Sequence, residues 1–227
     1  MENWQLITYL LFISYLKFNK GIAYHFERDA TRNAAANGDL DKLIRAHESG
    51  CSWNQETTTA AATNGHLECL KYAIENECPW DQTVMEGAAF NCRLDILEYA
   101  YINKIGWNEN ITKMAAMNGQ LICLQYAHEN ECSWNEETTT AAATNGHLKC
   151  LQYAHKKECP WNEKTTKAAA TNGHLECLKY AIENECPWDQ TVMEGAAFNC
   201  RLDILEYAYI NKIGWNENIT KMAAIND

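Results

Sequence analysis

Apolar and polar positions follow the period of short helices. In WNQETTTAAATNGHLECLKYAIENECP (53–79), Thr and Ala recur at helical spacing over Gln55–Thr63. From about His66 to Asn76, Leu67, Leu70, Ala73 and Ile74 fall at i, i+3, i+6 and i+7, with Cys69 and Tyr72 widening the stripe. Asn54, and Asp81 one stretch later, stand where an N-cap oxygen is wanted. Asn64-Gly65 breaks the first helix, because glycine accepts a left-handed backbone. Cys78-Pro79 stops the second, because proline lacks the amide and restricts its predecessor. Nothing reads as a strand.

This pair of helices recurs. Trp53, Trp80, Trp107, Trp134, Trp161, Trp188 and Trp215 are spaced by 27, with Phe26 one step earlier. Ala pairs (Ala61-Ala62, Ala88-Ala89, Ala115-Ala116, Ala142-Ala143) and leucine columns (Leu40, Leu67, Leu94; Leu43, Leu70, Leu97) keep the same beat. The lattice covers 26–227 as seven full 27-residue units and a half unit, and leaves 1–25 outside it. Residues 60–116 and 168–224 are identical, offset by 108, or four units. Stacked units that touch only their neighbours tolerate such a duplication, and a catalytic centre rarely does. One short helix is unstable alone, whereas stacked pairs bury a shared core. The expected fold is therefore an all-α solenoid of stacked antiparallel helix pairs.

Composition narrows the function. Among 227 residues, 30 Asp+Glu oppose 19 Lys+Arg, a formal charge of −11. That argues against nucleic-acid binding, which needs a basic face. The 8 Trp and 11 Cys suggest redox or metal chemistry until the repeat explains them: seven Trp and all 11 Cys occupy repeat columns. Cys51, Cys78, Cys132, Cys159 and Cys186 precede the aromatic loop, Cys69, Cys123, Cys150 and Cys177 lie in helix two, and Cys92 and Cys200 end helix one. Equivalent cysteines in neighbouring units should lie about 8–10 Å apart, beyond the roughly 7 Å disulfide limit. Their expected state is a buried thiol in a reducing, cytoplasmic setting.

His66/Cys69/Cys78, with His147/Cys150/Cys159 and His174/Cys177/Cys186, repeats a tempting zinc set. Cys78 nevertheless lies roughly 14 Å from Cys69 along the helix at 1.5 Å per residue, so one metal is not expected to hold all three. No nucleophile motif, H-E-x-x-H or phosphate-cradling loop occurs. His128 and His155 share a column with Ile74 and Tyr101 and read as helix-surface residues. The expectation is no catalysis, metal, cofactor or small-molecule substrate. The Asn110-Ile-Thr and Asn218-Ile-Thr sequons fall at helix starts, where glycosylation is not expected.

The unit resembles an ankyrin repeat. Ala61-Ala62, Gly65-His66, Glu68, Leu70 and Glu75 match its consensus, and Thr83-Val84-Met85-Glu86 stands where T-P-L-H belongs. The resemblance covers about nine-tenths of the chain. The unit is six residues shorter than the usual 33, which implies β-hairpin fingers that are shortened or absent. Short Cys-Pro-Trp-bearing units of this kind resemble ankyrin arrays of large DNA viruses and some protists. Three departures stand out. The T-P-L-H Pro and His are missing. The glycine after helix two survives only as Gly50, with Glu77, Lys104, Glu131, Glu158, Glu185 or Lys212 elsewhere, so Asn76, Asn130 and Asn184 are expected to take the left-handed position. Cys92 and Cys200 replace the inter-helix glycine.

The resemblance implies a non-catalytic module that binds a protein, a host protein if the viral likeness extends so far. On helix one the columns beside the Ala pair vary. They place Glu86, Phe90, Lys113, Met117, Lys167, Glu194 and Phe198 on adjoining ridges, with Phe90, Met117 and Phe198 as exposed anchors. Packing between units is the competing role for these side chains. Residues 1–25 hold an apolar run, Trp4–Phe18, too short for a membrane span of about 20 residues. It reads as a capping helix, a signal or anchor, or a degenerate F-box start. The last would make the chain a ubiquitin-ligase substrate receptor. The half unit ends after one helix, so Ile219, Met222 and Ile225 are expected to be partly exposed, and a truncated product is one explanation.

Overall fold

The computed structural model describes residues 29–213 and Ile219. The segment 1–25 and most of the half unit lie outside them. Every regular element among the described residues is a helix. Two compact units divide near Val84 and Met85.

In the first unit, α1 (Ala30–Ala36) pairs with α2 (Leu40–Glu48), and α3 (Gln55–Asn64) with α4 (Leu67–Glu75). Helix α5 (Thr83–Phe90) carries the chain into the second unit. There follow α6 (Leu94–Ile102), α7 (Glu109–Met117), α8 (Leu121–Glu129), α9 (Glu136–Thr144), α10 (Leu148–Lys156), α11 (Glu163–Asn172), α12 (Leu175–Glu183), α13 (Thr191–Phe198) and α14 (Leu202–Ile210). The fold is all-α, built of stacked antiparallel helix pairs. Helix α1 packs on α3, and α7, α9, α11 and α13 form a row of first helices, with α8, α10 and α12 stacked behind them.

Small side chains allow that row. Ala61, Ala62, Ala115, Ala116, Ala142, Ala169 and Ala170 are fully buried, so the backbones approach closely. Buried threonines satisfy one another across the helices: Thr112 and Thr138 hydroxyls lie 3.2 Å apart, and Thr139 and Thr165 3.3 Å. Thr58, Thr139 and Thr166 also donate to the carbonyls of Pro79, Pro160 and Pro187, at 2.9, 2.9 and 2.8 Å. The first helices α3, α9 and α11 are thereby each tied to the loop that follows their own pair.

The caps follow the sequence. Asn54 and Asn135 accept the Glu56 and Glu137 amides, each at 2.9 Å. Asp81 and Asp189 accept the Thr83 and Thr191 amides at 2.8 Å. Gly65 has φ +84°, the left-handed turn expected of it.

Helix α4, capped by His66 and Asn76, ends ahead of Cys78-Pro79 as expected. Two local expectations are corrected. The left-handed residue is Glu77 itself (φ +61°), as are Glu131, Glu158 and Glu185, while Asn76 stays at φ −103°. Cys78 N–H reaches the Ala73 carbonyl at 2.9 Å and Glu77 N–H that of Ile74 at 3.1 Å. That double bond is the Schellman closure, and it puts the positive φ one residue beyond the cap. The buried stripe of α4 is Cys69, Leu70 and Ala73, with Leu67 and Ile74 half-buried.

Candidate functional site

The varying helix-one columns line a groove of 280 Å³ in the second unit. Its walls are Lys113 and Met117 of α7, Glu136, Glu137, Thr140 and Thr144 of α9, and Lys164 of α11. These positions meet because four-residue steps on one helix face stay in line while the alanines hold adjacent helices close. Lys113 Nζ lies 2.6 Å from Glu137 Oε2. Its hydrogen bond holds the Glu137 carboxyl below the usual carboxylate range. The lining is mostly apolar, with Met117 and Ala141 beside Thr140 and Thr144, and Lys113, Lys164, Glu136 and Glu137 bring both signs of charge to it. The first unit carries a wider hollow of 860 Å³ on its own helix-one face, between Arg32, Glu56, Thr59 and Thr63.

The other expected residues are divided. Asn110 donates to Glu86 at 2.8 Å, which pins Glu86 beside α7. Phe90 is half-buried rather than an exposed anchor, and its carbonyl accepts Asn118 at 2.8 Å. Its sequence twin Phe198 is 56% exposed. Lys167 is exposed and Glu194 half-buried. Lys113 and Met117 are therefore brought into the groove itself, while Phe90 is largely a packing residue.

The cysteines and histidines have specific partners. Cys78, Cys132, Cys159 and Cys186 donate their S–H to the carbonyls of Asn54, Asn108, Asn135 and Asn162, at 3.4, 3.0, 3.3 and 3.4 Å. Burial pushes the Cys132, Cys159 and Cys186 thiols up to about 12. Cys92 and Cys123 form a disulfide, with Cα atoms 5.6 Å apart. The expectation that all cysteines are thiols fails here, because it compared equivalent columns and these two belong to different ones. The other nine are not disulfide-bonded.

His66 sits over Gly38 with Nε2 3.1 Å from the Ala36 carbonyl, far from a metal-ligand arrangement. No three His, Cys, Asp or Glu side chains converge on a possible ion site among the described residues.

His128 and His155 are not simple surface residues. Their rings stack on Trp134 and Trp161, each at 3.9 Å, and meet Tyr153 and Tyr180 edge-on. His47, Trp53 and Tyr72 repeat the arrangement in the first unit. The histidines' column spacing alone could not reveal this, because each trio draws from helix two, the next loop and the next helix two.

Among the described residues no helix is long and apolar enough to cross a membrane. No protein-family model matches the chain. No curated protein matches it in sequence. Among solved structures it is similar to a human ASB11 ankyrin repeat domain, with 17% identity, 82% of this chain and 84% of that chain covered, and a TM-score of 0.43.

Proposed function

We propose that this chain is a non-catalytic protein-binding module whose partner docks on the helix-one face of the second unit. The observation that carries this reading is the groove between α7, α9 and α11, with a mostly apolar lining that includes the Lys113–Glu137 pair. Such a surface suits a polypeptide that inserts an apolar side chain and answers charges of both signs. Repeat stacks present such faces rigidly, so little is lost in ordering the site on binding. The nine cysteines outside a disulfide support a reducing, cytoplasmic setting. The resemblance to viral repeats makes host-cell proteins the first class to screen.

The test is selection from a displayed peptide library against the whole chain. Binders should lose at least tenfold in affinity on Met117→Ala or Thr140→Arg, and be unaffected by Lys156→Ala on α10, an exposed helix-two residue outside the groove. Binders insensitive to both groove variants would remove this assignment.

A further inference from the structure

The junctions between successive pairs in the second unit are closed in two different ways. At three of them the residue preceding helix two reaches back over the turn glycine of the previous pair. His147 lies over Gly119, His174 over Gly146 and Arg201 over Gly173. His174 Nε2 is 2.9 Å from the Thr144 carbonyl, and Arg201 Nε donates to that of Thr171 at 3.1 Å. The glycine matters twice: its φ is positive, and a β-carbon would collide with the ring above it or, at Gly173, with Arg201 Cδ.

The α5–α6/α7–α8 junction departs from this. Its turn residue is Cys92, at φ +50°, and the reaching position holds Gln120. Three residues further on, Cys123 is bonded to Cys92. The equivalents of Cys123 are Cys150 and Cys177, which follow Gly119 and Gly146 at the same spacing of 31 and remain free, buried thiols pushed up to about 11. Among the described residues, only this junction both lacks the glycine clamp and places two thiols within disulfide reach. Cys200, the twin of Cys92 in the duplicated block, is a free and exposed thiol.

We propose that Cys92 and Cys123 are a reversible modification site, a redox clamp that fixes α5–α6 on α7–α8 when oxidised and releases the pair when reduced. The oxidant is a low-molecular-weight disulfide of the glutathione class. The thiolate of Cys92, the less buried of the two, attacks one sulfur of that disulfide. A mixed disulfide forms on Cys92, and one small thiolate leaves with the electron pair of the broken S–S bond. The Cys123 thiolate then attacks Cys92 Sγ and expels the second small thiolate. The two leaving thiolates take up the two protons lost by the cysteines. In sum, two cysteine thiols are oxidised to one cystine, and one small disulfide is reduced to two thiols.

The experiment equilibrates the full chain, with Cys200→Ser to prevent exchange at the exposed thiol, in glutathione buffers from fully reduced to fully oxidised. Acid quenching, alkylation and peptide mass spectrometry then read each cysteine. Cys92 and Cys123 should lose alkylation together in oxidised buffer and regain it in reduced buffer, while Cys69, Cys150 and Cys177 remain alkylated throughout after unfolding. Hydrogen exchange should show amides of 83–102 exchanging at least about tenfold faster in the reduced form. In Cys92→Gly/Gln120→His, which rebuilds the clamp of the neighbouring junctions, that exchange should no longer depend on buffer redox state. Cys92 and Cys123 staying thiols in oxidised buffer, staying bonded in reduced buffer, or pairing without any change in exchange would each overturn the proposal.

Discussion

The imidazole of His174 lies over Gly146, 28 residues earlier, and its Nε2 holds the Thr144 carbonyl at 2.9 Å. The glycine thus serves its own left-handed turn (φ +73°) and the seat of the next unit's ring. Gly146→Ala should cost about 1–2 kcal/mol for the backbone alone, plus displacement of the ring. By the usual scaling that lowers the melting temperature by roughly 2–8 °C. Gly146→Ala/His174→Ala should lose less than the sum of the two single variants, because the collision is then absent. Additive losses, read by thermal melts of all four proteins, would show that the ring and the turn are independent.

The four glutamates at positive φ give the opposite sign. Glu77, Glu131, Glu158 and Glu185 adopt φ of 60–63°, a region that an L side chain enters at a cost. Glu158→Gly should stabilise by about 0.5–1 kcal/mol, the relief of αL strain less the entropy lost by glycine. Asn184→Gly, one residue before Glu185, should not stabilise, because its φ is −107°. Urea denaturation of the two variants distinguishes them, and a gain for Asn184→Gly would contradict the observed Schellman register.

Local rules carried well from sequence to structure. The Asn54 cap, the Gly65 turn and the Ala61-Ala62 contact each depend on neighbours within one or two turns, and pattern suffices for those. Contacts between units were far less legible. Cys92 and Cys123 were missed because the distance between equivalent columns says nothing about unlike columns. The His155–Trp161–Tyr180 trio depends on how far one pair rises over the next, which the 27-residue period does not state. On the helix-one face, periodicity gave the side of the helix on which Lys113 and Met117 lie, but their shared groove with Thr140 and Lys164 appeared only once the helices were stacked.

Thiol reactivity should separate the cysteines sharply. Cys132, Cys159 and Cys186 are buried, donate to backbone carbonyls and are pushed up to about 12, so almost no thiolate exists at pH 8. Cys200 is exposed. Brief treatment of the native chain with iodoacetamide at pH 8 should label Cys200 first, at least tenfold faster than those three. Peptide mass spectrometry showing Cys132 labelled as fast as Cys200 would mean that the inter-loop S–H contacts open readily.

The stacked histidines predict how stability follows pH. Burial holds His128 and His155 below their ordinary value, and His155 Nδ1 lies 2.8 Å from Tyr180 Oη. The unfolded chain, with histidine near 6.5, therefore binds protons that the folded chain resists. By linkage these two groups contribute stability that is fully present above about pH 6.5 and lost as pH falls through their lower folded values. Carboxylates held down by hydrogen bonds, Asp81 and Asp189 to Thr83 and Thr191 and Glu137 to Lys113, act at lower pH, losing their contribution as pH falls below about 4. Urea midpoints should thus be flat from pH 8 to 7 and decline from 6.5 towards 5, above the range in which Asp81, Glu137 and Asp189 lose their contribution. Indole emission reports the same event at its source, since a cationic imidazole stacked on Trp134 or Trp161 quenches it. His128→Gln/His155→Gln should flatten both curves between pH 6.5 and 5 and leave the acid limb intact. A decline that persists unchanged in that variant would transfer the effect to other groups.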